Sequence, residues 1–367
     1  MQGLYVHIPF CVSKCFYCDF YSVSDKLELM DKYLGALLSE ADNYRGMDFT
    51  TLYLGGGTPS ILGAERLEKM IIGLRRRFGF NYLQEATIEV NPESAGVDLL
   101  ATAFAMGIRR ISIGAQSLNE AELKKSGRAH NRRQVMEAMD AALSSGFRNI
   151  SADIIVGLPG QTVQSLGDTI TILIAAGVNH ISAYCLSVED GTAFYRCPPP
   201  DLPDEDEQAG LFQCIAGVLR KHGFVHYEIS NFARPGSECL HNLNYWRGGE
   251  YLGLGPAAAS HINGKRFSNA ASLDLYLADP SSAVEQEERL EGTRKAGEEA
   301  MLRLRLIQEG LDMEEMTGKY GLTAVEKLEA RLHELVERRM LSRDGHIFHL
   351  RPECVLTSNS VFVDVIV

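Results

Sequence analysis

Tyr5-Val6-His7-Ile8-Pro9-Phe10-Cys11-Val12-Ser13-Lys14-Cys15-Phe16-Tyr17-Cys18 decides how the rest of the chain is read. Residues 3–9 are β-rich and end at a proline, so the stretch reads as a strand that runs straight into a loop. That loop carries a CxxxCxxC pattern, which lets three thiolates converge from one short segment. The number of ligands is informative. Structural zinc takes about four protein ligands, so a zinc reading has to recruit His7 or a distant cysteine. An iron-sulfur cube held by three cysteines leaves one iron open to an exogenous ligand, so the ligand count favours a cluster over zinc and over unliganded thiols.

Working outward, β-rich runs recur at residues 3–9, 51–57, 86–92, 110–116, 149–159 and 180–187. Between them, residues 26–43, 65–78, 132–145, 163–176 and 204–222 place apolar side chains at helical spacing, as Ile170, Leu173 and Ile174 illustrate. Six βα units in a row predict an α/β fold built on a parallel sheet. Ligands of such sheets sit at the carboxyl ends of the strands. Those positions hold the three cysteines, then Gly55-Gly56-Gly57-Thr58-Pro59, Asn91-Pro92-Glu93, Gln116 and Gly157-Leu158-Pro159.

Residues 223–291 turn glycine- and aromatic-rich and read as accessory strands and loops around His241-Asn242-Leu243-Asn244-Tyr245-Trp246. Residues 292–367 carry two or three amphipathic helices followed by Asp344-Gly345, a hairpin turn, and read as a winged-helix-like unit. The chain thus divides at 1–222, 223–291 and 292–367.

The formal net charge of -12 argues against a nucleic-acid surface, because such surfaces show a clustered basic footprint. In the tail, Glu residues are interspersed with the Arg and Lys, so DNA binding by a winged helix is not expected and a lid or docking role is. No stretch approaches the roughly 18 apolar residues of a membrane span, and the first residues lack a signal-peptide pattern. The expected address is therefore cytoplasmic. Cys185, Cys197, Cys214, Cys239 and Cys354 are scattered and read as small buried apolar residues rather than a disulfide scaffold.

Glycines at 55 to 57 permit close backbone approach to a ligand. Glu89 and Asp153 interrupt otherwise apolar strands, where a carboxylate is costly without a partner; an outward-facing strand position is the plainer reading of Glu89. Gln116 and Arg128 lie at or just beyond a strand end. With Tyr17 before the third cysteine, the cysteine loop resembles the radical-SAM signature. The resemblance implies a partial (β/α)6 radical-SAM barrel with a [4Fe-4S] cluster on Cys11, Cys15 and Cys18. It also implies S-adenosylmethionine (SAM) on the open iron, contacted by Tyr5, Tyr17, Gly56, Gly57, Thr58, Glu89, Gln116, Arg128 and Asp153.

Within that superfamily, residues 5–11, 55–59, Gly114-Ala-Gln-Ser-Leu118, Gly127-Arg-Ala-His130 and 153–159 resemble the branch of oxygen-independent coproporphyrinogen III dehydrogenase and the HemW-type haem chaperones. The dehydrogenase pattern adds a fourth cysteine two residues after the third, where this chain has Cys18-Asp19-Phe20, and has an N-terminal extension before the first strand. Residues 241–246 match the HNxxYW signature of HemW. The resemblance implies haem binding and transfer to an acceptor protein, with His241 as the haem-ligand candidate, Cys239 second, and a monomer or haem-linked dimer. It leaves room for peripheral membrane contact with a respiratory acceptor. Radical decarboxylation of coproporphyrinogen III is the alternative, although that activity is not expected. His7, His130, His180, His222, His226 and His261 have no metal-site spacing and read as routine polar residues.

Overall fold

Each of the six anticipated β-rich runs becomes a strand. In the computed structural model, which describes residues 2–366, they are β1 (Gln2–Ile8), β2 (Thr51–Gly56), β3 (Glu85–Val90), β4 (Arg110–Gln116), β5 (Asn149–Val156) and β6 (His180–Cys185). They lie side by side in sequence order and pair in parallel. Alternation along each strand separates two faces. Leu4, Val6 and Ile8 of β1, Ile111 and Ile113 of β4, and Ile150, Ala152 and Ile154 of β5 join the apolar core under the helices. The residues between them are Tyr5, His7, Ser112, Ser151 and Asp153, so the opposite face is polar along its length.

Helices Met30–Asp42, Gly63–Arg75, Arg132–Ser145, Val163–Ala175 and Glu205–Lys221 fill the connections. Capping chemistry fixes their ends: Asn131 and Gln134 form a capping box at the start of Arg132–Ser145, and Gly146, at φ 105°, closes it in the left-handed region. Two short helices, Val97–Ala105 and Glu120–Lys125, were not anticipated.

The segment 223–291 is more ordered than the sequence suggests. It supplies β7 (Val225–Glu228), β8 (Asn231–Ala233), β9 (Glu250–Leu254), β10 (Ala259–Ile262), β11 (Lys265–Asn269) and β12 (Val284–Arg289), all of which join the main sheet. The order is β12-β11-β10-β9-β1-β2-β3-β4-β5-β6-β8-β7, and β9 runs parallel to β1. Among the described residues β12 does not pair with β7, so the sheet stays open.

The His241 motif, read above as part of a loop region, is the helix Leu240–Trp246. Its first backbone N–H groups, at Leu240 and His241, donate to the Glu85 carboxylate at 3.1 and 3.0 Å. Glu85 opens β3, and His241 touches Thr51 and Gly3 at the starts of β2 and β1. This helix therefore closes the sheet at the amino ends of its strands.

The C-terminal unit comprises helices Gly292–Arg303, Met313–Tyr320 and Leu322–Glu337 with an antiparallel sheet of β13 (Leu311–Asp312), β14 (Leu341–Asp344) and β15 (Ile347–Leu350), ordered β13-β15-β14. Gly345, at φ 60°, makes the expected hairpin turn between β14 and β15. A further helix, Ser358–Val365, packs Val361, Phe362 and Val365 into the same core. Among the described residues no helix is long and apolar enough to cross a membrane.

Candidate cofactor site

At the carboxyl ends of β1 to β6 lies a cavity of about 370 Å³. Cys11, Cys15 and Cys18 line it. Their loop is pinned at both ends: Cys11 N–H donates to the Val23 carbonyl at 3.0 Å, and Phe16 N–H to the Ser126 carbonyl at 3.1 Å. The thiols stand around a space rather than a point, since among the described residues no three His, Cys, Asp or Glu groups are placed to hold a metal ion. Burial first, with neighbouring thiols adding to it, pushes the Cys18 thiol up to about 11. Ligation there must release a proton.

A chain of hydrogen bonds ties the loop to the sheet. Arg128 Nη1 donates to Cys15 Sγ at 3.2 Å, and its Nη2 donates to Asn91 Oδ1 at 2.9 Å and the Gly114 carbonyl at 3.0 Å. Asn91 Nδ2 donates to Thr58 Oγ1 at 3.0 Å, and Thr58 Oγ1 to Cys11 Sγ at 3.4 Å. His130 completes the support, with one ring nitrogen 3.3 Å from Arg128 Nη2 and the other 3.1 Å from the Ala115 carbonyl.

Three features fit this cavity to a polar ligand. Tyr17 Oη and Arg128 Nε are buried with no hydrogen-bond partner among the described residues. Such orphans are costly unless something pairs with them. Gly57 forms a cradle in which a Cβ would lie 2.7 Å from the Phe10 carbonyl. Gln116 holds φ at 60° in a tight turn closed by Ser117 N–H to the Ala115 carbonyl at 2.7 Å, a strained conformation for a side-chain-bearing residue.

Two carboxyls complete the polar face. Tyr53 Oη donates to Glu89 Oε1 at 2.7 Å, and the Gly56 N–H to Oε2 at 3.1 Å. A Cβ at Gly55 would lie 2.9 Å from the Tyr53 ring and 3.0 Å from Glu89 Oε2, so a side chain there would push against this pair. Burial, then the Asp153 charge, pushes the Glu89 carboxyl up to about 7. Burial also raises Asp153, against hydrogen bonds from Ser182 and Ser112.

Tyr17, Gly56, Gly57 and Thr58 therefore meet Glu89, Gln116, Arg128 and Asp153 on one cavity wall system, together with the three thiols. Tyr5 does not join them. It lines a neighbouring cavity, three residues short of the end of β1, with its hydroxyl 3.0 Å from His7 Nδ1. Asn91, Ser112, Tyr184 and Cys185 line the site without having been singled out. Ser112 was accessible to reasoning, since alternation along β4 places it on the same face as Gly114. Cys185 ends β6 and was read only as a small buried residue.

His241 lies elsewhere. It is at the amino ends of the strands, whereas the thiols follow the carboxyl end of β1. Its Nδ1 is 2.8 Å from Thr51 Oγ1 and its Nε2 2.8 Å from Tyr245 Oη. The ring stacks on Tyr53 with centroids 5.1 Å apart. Burial lowers its pKa to about 3. Both nitrogens are engaged by hydroxyls in a buried site, apart from the three thiols. Cys239 is also buried, with its Sγ 3.4 Å from Glu85 Oε1.

A family model described as the Radical SAM superfamily matches residues 5–173, and the HemN C-terminal domain matches residues 290–356. The heme chaperone HemW of Lactococcus lactis is 33% identical over 98% of this chain and 96% of its own length. That of Bacillus subtilis is 32% identical over 99% and 98%. The chain belongs to the HemW family of radical-SAM proteins. The HemW of Escherichia coli is 36% identical over 83% of each chain. Coproporphyrinogen III oxidase (HemN) from Escherichia coli superposes with a TM-score of 0.88 over 100% of this chain and 90% of that one, at 22% identity, which shows a shared fold. Membership of the superfamily brings a [4Fe-4S] cluster and SAM. The three thiols, the unpaired Tyr17 and Arg128 donors and the Gly57 cradle of this HemW-family chain suit that pair.

Glu89 offers a test with two opposite signs. Its folded pKa of about 7 lies above the ordinary 4.5, so the native chain holds the extra proton. Stability is then lost as pH rises from about 4.5 through 7, by roughly 3 kcal/mol. Glu89→Gln is expected to raise the denaturation midpoint of the cofactor-free chain at pH 8 and flatten that slope. SAM affinity of the reconstituted variant should fall at least about tenfold, the loss of one charged hydrogen bond. Parallel urea melts and equilibrium SAM binding check both signs.

Proposed function

We propose that this chain is a haem chaperone, which binds haem and passes it to an acceptor protein in the cytoplasm. The observation that carries this reading is near-full-length similarity to proteins named heme chaperone HemW, at 33% identity over 98% of the chain. The Cys18-Asp19-Phe20 sequence, without a further thiol, supports it over coproporphyrinogen dehydrogenase.

In this reading Cys11, Cys15 and Cys18 hold the cluster. When bound, the cluster supplies an open iron site for SAM and a source of electrons. The chain's own groups do the positioning. Arg128 and Thr58 hydrogen-bond two of the ligating sulfurs and so fix their positions. Tyr17 and Arg128 offer donors to the anionic part of SAM, Gly56 and Gly57 let backbone approach it, and Glu89, Gln116 and Asp153 accept hydrogen bonds from its polar groups. Tyr5 acts at one remove, through His7. Residues 1–222 form the cofactor-bearing unit, 223–291 flank it, and 292–367 dock the acceptor. The chain works as a monomer or a haem-linked dimer and meets a membrane-bound acceptor, where there is one, peripherally.

The test is anaerobic reconstitution of the cluster followed by titration with haem, read at the Soret band. Saturation at about one haem per chain is expected, as for a single iron-ligating site. Absence of saturable binding would sink the chaperone reading and make coproporphyrinogen decarboxylation the activity to assay.

A further inference from the structure

A second cavity, of about 500 Å³, adjoins the first. Phe20, Gly56 and Glu89 line both. Its size lies within the roughly 300–1,000 Å³ of small-molecule sites. Tyr245, Trp246 and Tyr251 form an aromatic wall, with the Tyr245 and Tyr251 rings 4.5 Å apart in an edge-to-face pair. Two buried donors of lining residues, Trp246 Nε1 and Arg266 Nε, have no hydrogen-bond partner among the described residues, while Arg266 Nη1 is ion-paired with Glu298. A flat aromatic surface beside unsatisfied N–H donors suits a ligand that is planar, apolar and edged with carboxylates.

His261 also lines this cavity, and its hydrogen bonds differ from those of His241. Its Nδ1 faces the Gly249 carbonyl at 3.2 Å, an acceptor only, so Nδ1 carries the proton. Nε2 therefore keeps its lone pair, which accepts from Lys295 Nζ at 3.2 Å. An imidazole whose far N–H is fixed by a backbone carbonyl is the usual arrangement behind a metal-bound ring. Lys295 has a second partner, Glu298, at 2.7 Å, and sits on a flexible stem. It can leave the ring without losing its ion pair. His241 has no such mobile partner, since Thr51 is buried on β2 and the Tyr245 ring is held edge-on between His241 and Tyr251.

We infer that haem seats in this second cavity, with its ring against Tyr245, Trp246 and Tyr251, its iron on His261 Nε2, and its propionates on Arg266 and the displaced Lys295. The inference rests on the chaperone reading and locates its cargo site. Binding breaks the Lys295 to His261 hydrogen bond and forms one iron–nitrogen bond from the released lone pair, with no change of oxidation state. The shared wall at Gly56 and Glu89 then places the cargo directly beside SAM, so that occupancy of one cavity is felt in the other.

The experiment titrates ferric haem into the full, cluster-reconstituted chain and into three variants, His261→Ala, Ala259→Trp and His241→Gln. Soret position and electron paramagnetic resonance spin state are the readouts. His261→Ala should weaken binding roughly 10–100-fold and lose the axial-imidazole signature in the Soret and spin-state spectra, with added imidazole restoring it. Ala259 lines the cavity from a solvent-exposed position, so a tryptophan there fills the space while sparing the core, and saturable binding should disappear. His241→Gln should keep the wild-type spectrum. If wild type binds and both His261→Ala and Ala259→Trp leave spectrum and affinity unchanged, the site assignment is overturned while the chaperone reading stands. Wild type that fails to bind overturns the chaperone reading itself.

Discussion

Cys15→Ala is expected to produce a folded chain that cannot hold its cluster. After reconstitution, iron should fall from about four atoms per chain to near zero, because two thiolates cannot retain a cube that already has one open corner. The fold should survive. Cys15 is only partly buried and makes no contact in the apolar core, and its loop stays pinned by Cys11 N–H to Val23 and Phe16 N–H to Ser126. The local cost is one acceptor lost to Arg128, whose Nη2 retains Asn91 and Gly114. A melt shifted by about 1 kcal/mol or less, together with absent iron and acid-labile sulfide, is the expected pair of results. Retention of a full cluster would show that another residue, with Cys185 the nearest unused thiol in the cavity, completes the ligand set.

His241→Ala is expected to act in the opposite way, on stability rather than on a cofactor. The side chain is wholly enclosed, stacked on Tyr53, edge-on to Tyr245 at 4.8 Å, and hydrogen-bonded through both nitrogens. Deleting it opens a hole and strands the Thr51 and Tyr245 hydroxyls, a loss of about 3–5 kcal/mol. Chemical denaturation at neutral pH measures it. The ring also carries an acid liability. Burial holds its pKa near 3 against an ordinary 6.5, so the unfolded chain binds the additional proton. Stability should decline as pH falls from about 6.5 toward 3, and His241→Gln should remove about one proton from that slope. A variant as stable as wild type that has lost haem would instead return His241 to the role its motif suggests.

The parallel sheet was legible because β1 to β6 and their helices are long enough to show period. β4 and the helix Arg132–Ser145 match expectation residue for residue, the latter bracketed by Asn131 and Gly146. Helix Val97–Ala105 escaped notice because its nine residues, VDLLATAFA, span too few turns to display a period. Helix Leu240–Trp246 is too short to display a period, and its aromatics read as loop. The pairing of β9 with β1 is a contact between distant segments that no local pattern encodes. At the site, the thiols and strand-end residues followed from the rule that parallel sheets bind at their carboxyl ends. That Tyr5 and His241 lie outside the thiol-lined cavity was not legible, because motif membership fixes a residue in sequence but not its height along the strand or the cavity that it faces.

The seat of β1 between β2 and β9 has a consequence for biogenesis. During synthesis β1 leaves the ribosome ahead of the rest of its sheet, but its second neighbour and the helix that closes the sheet below it arrive only with residues 240–254. Until then Tyr5, Glu85 and Arg110 face water and one edge of β1 is bare, a template for pairing with another chain. The cysteine loop, tied back to Val23, Thr58, Ser126, Arg128 and Phe194, is complete before that. Nascent chains thus present metal-ready thiols on an unfinished scaffold, and a fragment ending at residue 222 should be captured by chaperones or aggregate rather than mature as an independent cofactor domain.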